Sequence, residues 1–113
     1  MDQPKKLLFV CSQNRMRSLT AEHLFHQSLD YVAKSAGTSP QARVRVDEDL
    51  VAWADVVFVM EEKHEALLRE NFGAALAKKK VICLHIPDIY QCDEQGLLDV
   101  LKGRLADLLQ VPE

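Results

Sequence analysis

The sequence predicts an α/β fold, a single domain whose doubly wound, four-stranded parallel sheet carries helices on both faces. Three observations point to it. Apolar runs of strand length alternate with helix-period stretches along the chain. The clearest runs, Leu7-Leu8-Phe9-Val10 and Val56-Val57-Phe58-Val59-Met60, carry no charge and are apolar at successive positions, as strands covered on both faces are. At 113 residues there is room for one core and not for a second lobe, so 1–113 is expected to form one domain with 1–4 as a flexible tail. Parallel neighbours require right-handed crossovers, and these place helices over both faces.

The elements follow in order. After the strand at 7–10 comes a helix over about 18–29, with Ala21, Leu24, Phe25 and Leu29 on one face and Ser18 as its candidate cap. Tyr31-Val32-Ala33-Lys34-Ser35 reads as the second strand, closed by the turn-forming Ala36-Gly37-Thr38-Ser39-Pro40. Asp47 caps a short helix in which Val46, Leu50, Trp53 and Ala54 face inward, and that register makes Trp53 core rather than a recognition residue. Glu48 and Asp49 suit the helix's positive end. The third strand, 56–60, leads into a charged helix over about 62–71, with His64, Leu67 and Leu68 on one side and Asn71-Phe72-Gly73 ending it. Lys78-Lys79-Lys80 reads as a solvated loop before the fourth strand, Val81-Ile82-Cys83-Leu84-His85. A last helix over about 94–110 carries the stripe Leu98, Leu101, Leu105 and Leu108, and Val111-Pro112-Glu113 ends it.

Composition narrows the function classes. Charged residues make up 27% and the net charge is -3, which argues against a general nucleic-acid binder, although Arg15, Arg17, Arg43 and Arg45 could still form a local basic patch. The start of the chain, Met1-Asp2-Gln3-Pro4-Lys5-Lys6, leads into an apolar run too short for a signal peptide or a membrane span, so a cytoplasmic protein without membrane contact is expected. Three cysteines without C-x-x-C spacing suggest reduced thiols. The four histidines, scattered and without H-E-x-x-H spacing, read as surface or packing residues, so no metal and no other cofactor is expected.

Chemistry is expected where the first strand ends. Cys11 and Arg17 bracket five residues, Ser12, Gln13, Asn14, Arg15 and Met16, and Ser18 follows at the head of a helix. Five residues in that place can curl into a cradle whose backbone N–H groups point inward, beside the positive end of the helix. Such a cradle holds a tetrahedral oxyanion, and the same field favours the thiolate form of a cysteine. The bland alternative is a small buried cysteine and a solvated arginine.

These residues resemble the low-molecular-weight protein tyrosine phosphatase family, whose loop has the form C-x5-R-[ST]. The resemblance runs on through Asn14, Thr20-Ala21-Glu22, Ser35-Ala36-Gly37-Thr38 and Ala54-Asp55-Val56-Val57-Phe58-Val59-Met60. Ile86-Pro87-Asp88 matches the place of the family's general-acid aspartate. The chain departs from the pattern at Asp88-Ile89-Tyr90, where the family has Asp-Pro and an aromatic, and at Gln13 and Met16, which replace a glycine and a second cysteine. It is also short, with length missing between Gly37 and Asp47 and around the acid loop. The resemblance therefore implies a compact, divergent phosphatase acting on a phosphorylated protein or a small phosphate monoester.

It also implies roles. Cys11 would attack phosphorus to form a phosphocysteine, Arg17 would hold two phosphoryl oxygens, and Asp88 would protonate the leaving group and later activate water. Backbone N–H groups from Ser12 to Arg17 would complete the oxyanion contacts, Ser18 would stabilise the departing thiolate, and Asn14 would brace the loop. Asp88 also fits plain turn chemistry after Pro87, with Asp93, Glu94 and Asp99 as substitutes. Tyr90 would line the mouth or cover the core edge, and Arg15 would face substrate or water. Two other functions compete: an arsenate-reductase-like redox enzyme using Cys83 and Cys92, and a module that binds phosphorylated ligands without hydrolysing them. Oligomeric state is not legible.

Overall fold

The computed structural model describes residues 3–109. Four strands, β1 (Lys5–Cys11), β2 (Tyr31–Gly37), β3 (Val56–Val59) and β4 (Lys80–Cys83), form one parallel sheet in the order β2-β1-β3-β4. The helices are α1 (Arg17–Leu24), α2 (Glu48–Trp53), α3 (Glu62–Leu76) and α4 (Gln95–Leu105). The expected α/β class holds. Because β1 is central, its side chains divide the core: Leu7, Phe9 and Cys11 face α1 and α4, whereas Leu8 and Val10 face α2 and α3. Phe9 stacks between Phe25 at 5.8 Å and Phe58 at 5.2 Å, each ring pair adding roughly 0.5–1.5 kcal/mol beyond its buried area.

Element boundaries shift for identifiable reasons. α1 stops at Leu24, not 29: Phe25 and His26 donate to the carbonyls three residues back, and Ser28 Oγ accepts from the N–H groups of Asp30 and Tyr31. Leu29 is thereby left 91% exposed, outside the core stripe expected for it. β2 runs past Ser35 to Gly37, which pairs with Cys11, so the turn begins later than its composition suggests. Asn71-Phe72-Gly73 marks a kink rather than an end. Phe72 leaves helical geometry (φ -135°, ψ 29°), and a further turn carries Leu76 into the core, while Leu67 lies exposed.

α4 buries Leu97, Leu101 and Leu105, so Leu97 takes the place expected for Leu98, and Leu108 lies beyond the helix on the surface. Val111-Pro112-Glu113 falls outside the described residues, as does the start of the 1–4 tail. Lys79 is not purely solvated: its Nζ donates to the carbonyls of Ala52 and Ala54. Asp47 caps α2 as expected, accepting from the Leu50 N–H at 2.8 Å. Trp53 is half-buried with Lys34 Nζ 4.6 Å above its ring. Among the described residues no helix is long and apolar enough to cross a membrane.

Candidate active site

β1 delivers Cys11 to the carboxyl edge of the sheet, and the chain turns through residues 12–16 into α1. Asn14 takes the left-handed backbone conformation (φ 57°), which a short amide side chain tolerates better than most. The carbonyls of this turn are drawn outward. Those of Cys11 and Ser12 accept from the N–H groups of Thr38 (2.9 Å) and Ser39 (3.0 Å), that of Gln13 from the N–H of Arg43 (2.9 Å), and that of Asn14 from Arg43 Nε (3.1 Å). The N–H side of the turn is left for the interior, and the Asn14 N–H lies 3.3 Å from Cys11 Sγ. Gly37 permits this bracing: a Cβ there would sit 2.4 Å from the Ser12 carbonyl oxygen and 2.6 Å from Ala42 Cβ. The length missing between Gly37 and Asp47 has not cost the loop its support.

Cys11 is buried with its sulfur 2.9 Å from Ser18 Oγ. Ser18 Oγ accepts from Asn14 Nδ2 at 2.8 Å, and its single proton is shared between two acceptors, the sulfur at 2.9 Å and the Ala36 carbonyl at 3.3 Å. Ser18 is thus not the cap expected from sequence. Met16 holds the cap position of α1, and the Ser18 hydroxyl turns inward toward the thiol. Asn14 Oδ1 is buried without a partner, so the amide is held by its nitrogen alone.

Arg17 is fully buried apart from 2% of its surface. Its Nη1 donates to Glu61 Oε1 at 2.5 Å and to the Ile86 carbonyl at 2.8 Å, while Nε faces Asp88 Oδ1 at 3.8 Å. One corner of the guanidinium is therefore anchored, and the parallel pair of donors on Nε and Nη2 remains for a ligand. The hydrogen bond from Arg17 holds the Glu61 carboxyl below its ordinary range. Of the four arginines that could form a local basic patch, Arg17 is buried and takes no part in the surface, while Arg15, Arg43 and Arg45 are exposed.

A second support comes from α3. The Glu61 N–H donates to His64 Nδ1 at 3.0 Å, so the proton of the neutral ring sits on Nε2, which donates to Ser12 Oγ at 2.9 Å. Protonating the ring would break the first of these bonds. Burial, reinforced by the Arg17 guanidinium, pushes the His64 pKa down from 6.5 to about 4. The folded state thus binds fewer protons than the unfolded chain between those values, so stability rises with pH across that window and is lost as pH falls from 6.5 toward 4. Thermal melts over this range should show a loss on the order of 2–3 kcal/mol, and His64→Gln should flatten it. A slope unchanged in that variant would assign the loss to other groups.

Asp88 reaches the cleft through the segment after β4. Leu84 and Ile86 donate to the carbonyls of Val59 and Met60, and His85 takes a positive φ of 54°, which turns the chain across the sheet edge. Ile86 is fully buried, and Asp88, two residues on, is 66% exposed at the rim. Cys11, Ser12, Gln13, Arg15, Met16, Arg17 and Asp88 together line a cleft of about 170 Å³. Gln13 and Arg15 expose their side chains there, while Tyr90 is half-buried against the core edge beside Gly96 and does not line the cleft. Glu61 and His64 are the site neighbours that sequence reasoning missed. The M-E-E-x-H pattern after an apolar strand was the available signal.

Of the competing thiols, Cys83 is half-buried, its pKa pushed up by burial, and Cys92 lies against Thr20 of α1. Residues 6–53, from β1 through α2, match the family model described as low molecular weight phosphotyrosine protein phosphatase. No curated protein matches. Among solved structures the chain is similar to the tyrosine phosphatase Wzb from Escherichia coli K30 in complex with phosphate, at 19% identity and TM-score 0.72, covering 91% of this chain and 94% of that one. It is also similar to the Erwinia amylovora tyrosine phosphatase amsI, at 20% identity and TM-score 0.73 over 91% and 89%. The YwlE arginine phosphatase from Geobacillus stearothermophilus, at 23% identity and TM-score 0.63, covers 93% and 86%. These likenesses establish the fold, and the family match bears out the resemblance read from the sequence and supports a phosphatase.

Proposed function

We propose that this chain, which carries the loop of the low molecular weight phosphotyrosine protein phosphatases, hydrolyses phosphate monoesters through a covalent intermediate on Cys11. The observation that carries the reading is the convergence on one cleft of a buried thiol bonded to Ser18, a half-anchored arginine and an aspartate at the rim. In the first step the Cys11 sulfur forms a bond to phosphorus as the bond to the leaving oxygen breaks, and Asp88 gives its proton to that oxygen. In the second, water attacks the phosphocysteine, Asp88 takes its proton, and the sulfur leaves as a thiolate that Ser18 steadies. Arg17 and the loop N–H groups meet the charge on the phosphoryl oxygens in both steps.

The substrate class is a phosphate monoester presented at an open mouth, with phosphotyrosine one member of that class. The acid is the part that lies outside the family match, since the matched residues end at 53. Metal-free hydrolysis of aryl phosphates tests it. Asp88→Asn should lower kcat by about 10²–10³-fold with a poor phenol leaving group and by less than tenfold with nitrophenol, which departs without much protonation. Equal losses on both would remove Asp88 from the acid's role. Binding of phosphate with no hydrolysis of any aryl ester would favour a phosphoryl-binding module instead.

A further inference from the structure

Beside Thr20, three residues along α1 from Arg17, the fold brings together three side chains of metal-ligating type that sequence spacing keeps apart. His23 comes from α1, and Cys92 and Asp93 from the segment before α4. One ligand atom from each lies within 4.8 Å of the others. His23 Nδ1 is 2.9 Å from Asp93 Oδ1, and Cys92 is half-buried beside them. Thr20 supplies an outer contact of the kind that tunes metal ligands. Its hydroxyl accepts from the Asp93 N–H at 2.8 Å and donates to Cys92 Sγ at 3.7 Å, which orients both residues.

We infer that His23, Cys92 and Asp93 form a binding site for a divalent transition ion, with zinc as the best fit. A sulfur, a nitrogen and a carboxylate oxygen are the donors zinc takes at roughly 2.0–2.3 Å, whereas magnesium and calcium call for oxygen ligands alone. Ligands of one tetrahedral zinc stand about 3.3–3.8 Å apart, so modest side-chain rotation closes the set. With half of the His23 and Asp93 surfaces exposed, water takes the fourth position. The ion would tie α1, which begins at Arg17, to the segment that follows Asp88. It would thereby stabilise the fold and limit the travel of the acid segment. The earlier expectation of no metal rested on spacing along the chain, which cannot show ligands 69 residues apart.

The test uses untagged protein carrying Cys11→Ser and Cys83→Ser, so that Cys92 is the sole thiol. One equivalent of Co²⁺ should give tetrahedral visible bands with a sulfur-to-metal charge-transfer band, and Zn²⁺ should displace it stoichiometrically. Zinc at a hundredfold excess over its Kd should raise the melting temperature on the order of 10 °C. Cys92→Ser should abolish the charge-transfer band, and His23→Ala should weaken binding at least about tenfold. Absence of stoichiometric binding to the parent protein overturns the inference, as does binding that neither substitution alters. Hydrolysis by the unsubstituted enzyme in chelator is a separate readout, so failure of the metal site leaves the phosphatase reading intact.

Discussion

Cys11→Ser is expected to lower turnover of p-nitrophenyl phosphate by roughly 10⁴–10⁶-fold, the scale on which an enzyme loses rate when its nucleophile is removed. A serine hydroxyl fits the space of the thiol and keeps a partner in Ser18 Oγ, so the loop should retain its shape. What it lacks is the nucleophilicity of sulfur, and among the described residues His64, the histidine nearest the loop, points at Ser12 rather than at that position. Binding of inorganic phosphate should therefore persist while kcat collapses. Steady-state kinetics paired with a phosphate inhibition constant check this, and rapid quench with intact-mass analysis should trap a phosphorylated wild-type Cys11. Activity within tenfold of wild type in Cys11→Ser would sink the covalent mechanism. Hydrolysis that survives Cys83→Ser and Cys92→Ser would set aside the redox alternative.

Arg17→Ala should cost roughly 10³–10⁵-fold in kcat/KM, comparable to loss of an arginine that neutralises a transferring phosphoryl group. Two effects combine. The transition state loses the Nε and Nη2 donors, and the ground state loses the anchor that ties α1 to Glu61 and to the Ile86 carbonyl. Arg17→Lys separates them, because a lysine keeps the charge but cannot present two parallel donors. Its kcat/KM should remain within about tenfold of the alanine variant, while a thermal melt should show part of the stability restored. Full activity in Arg17→Lys would mean that the fork is not what the reaction uses.

The cradle was legible in the sequence because it is local: Cys11, Asn14, Arg17 and Ser18 lie within eight consecutive residues at a strand–helix junction. The sheet was legible for a similar reason, since buried parallel strands are apolar at every position. Glu61 and His64 were not, because they reach the loop from α3, 44 and 52 residues beyond their partners Arg17 and Ser12. The E-x-x-H spacing at the head of α3 signals a histidine that caps its own helix, but not which distant loop the ring reaches. Helix ends were lost to turn chemistry, as Ser28 shows by closing α1 before Leu29. The shift from Leu98 to Leu97 reflects a stripe of consecutive leucines in which either register looks apolar. Asp88 was read from its place after β4, and the fold sets it 3.8 Å from Arg17 Nε.

The outward bonding of the loop carbonyls to residues 38–43 has a consequence for how such a protein can change over time. In the mechanism proposed above the anion is met by main-chain groups whose orientation is set by Gly37 and the segment behind it, while Gln13 and Arg15 turn their side chains to solvent. Substitution at those two positions alters the mouth without touching the ring of amides. The catalytic part of the site is thereby insulated from the part that chooses a partner, and selection can redraw the second while the first stands still. A lineage built this way can exchange one phosphorylated molecule for another in few steps, and its chemistry stays readable long after its substrate has ceased to be.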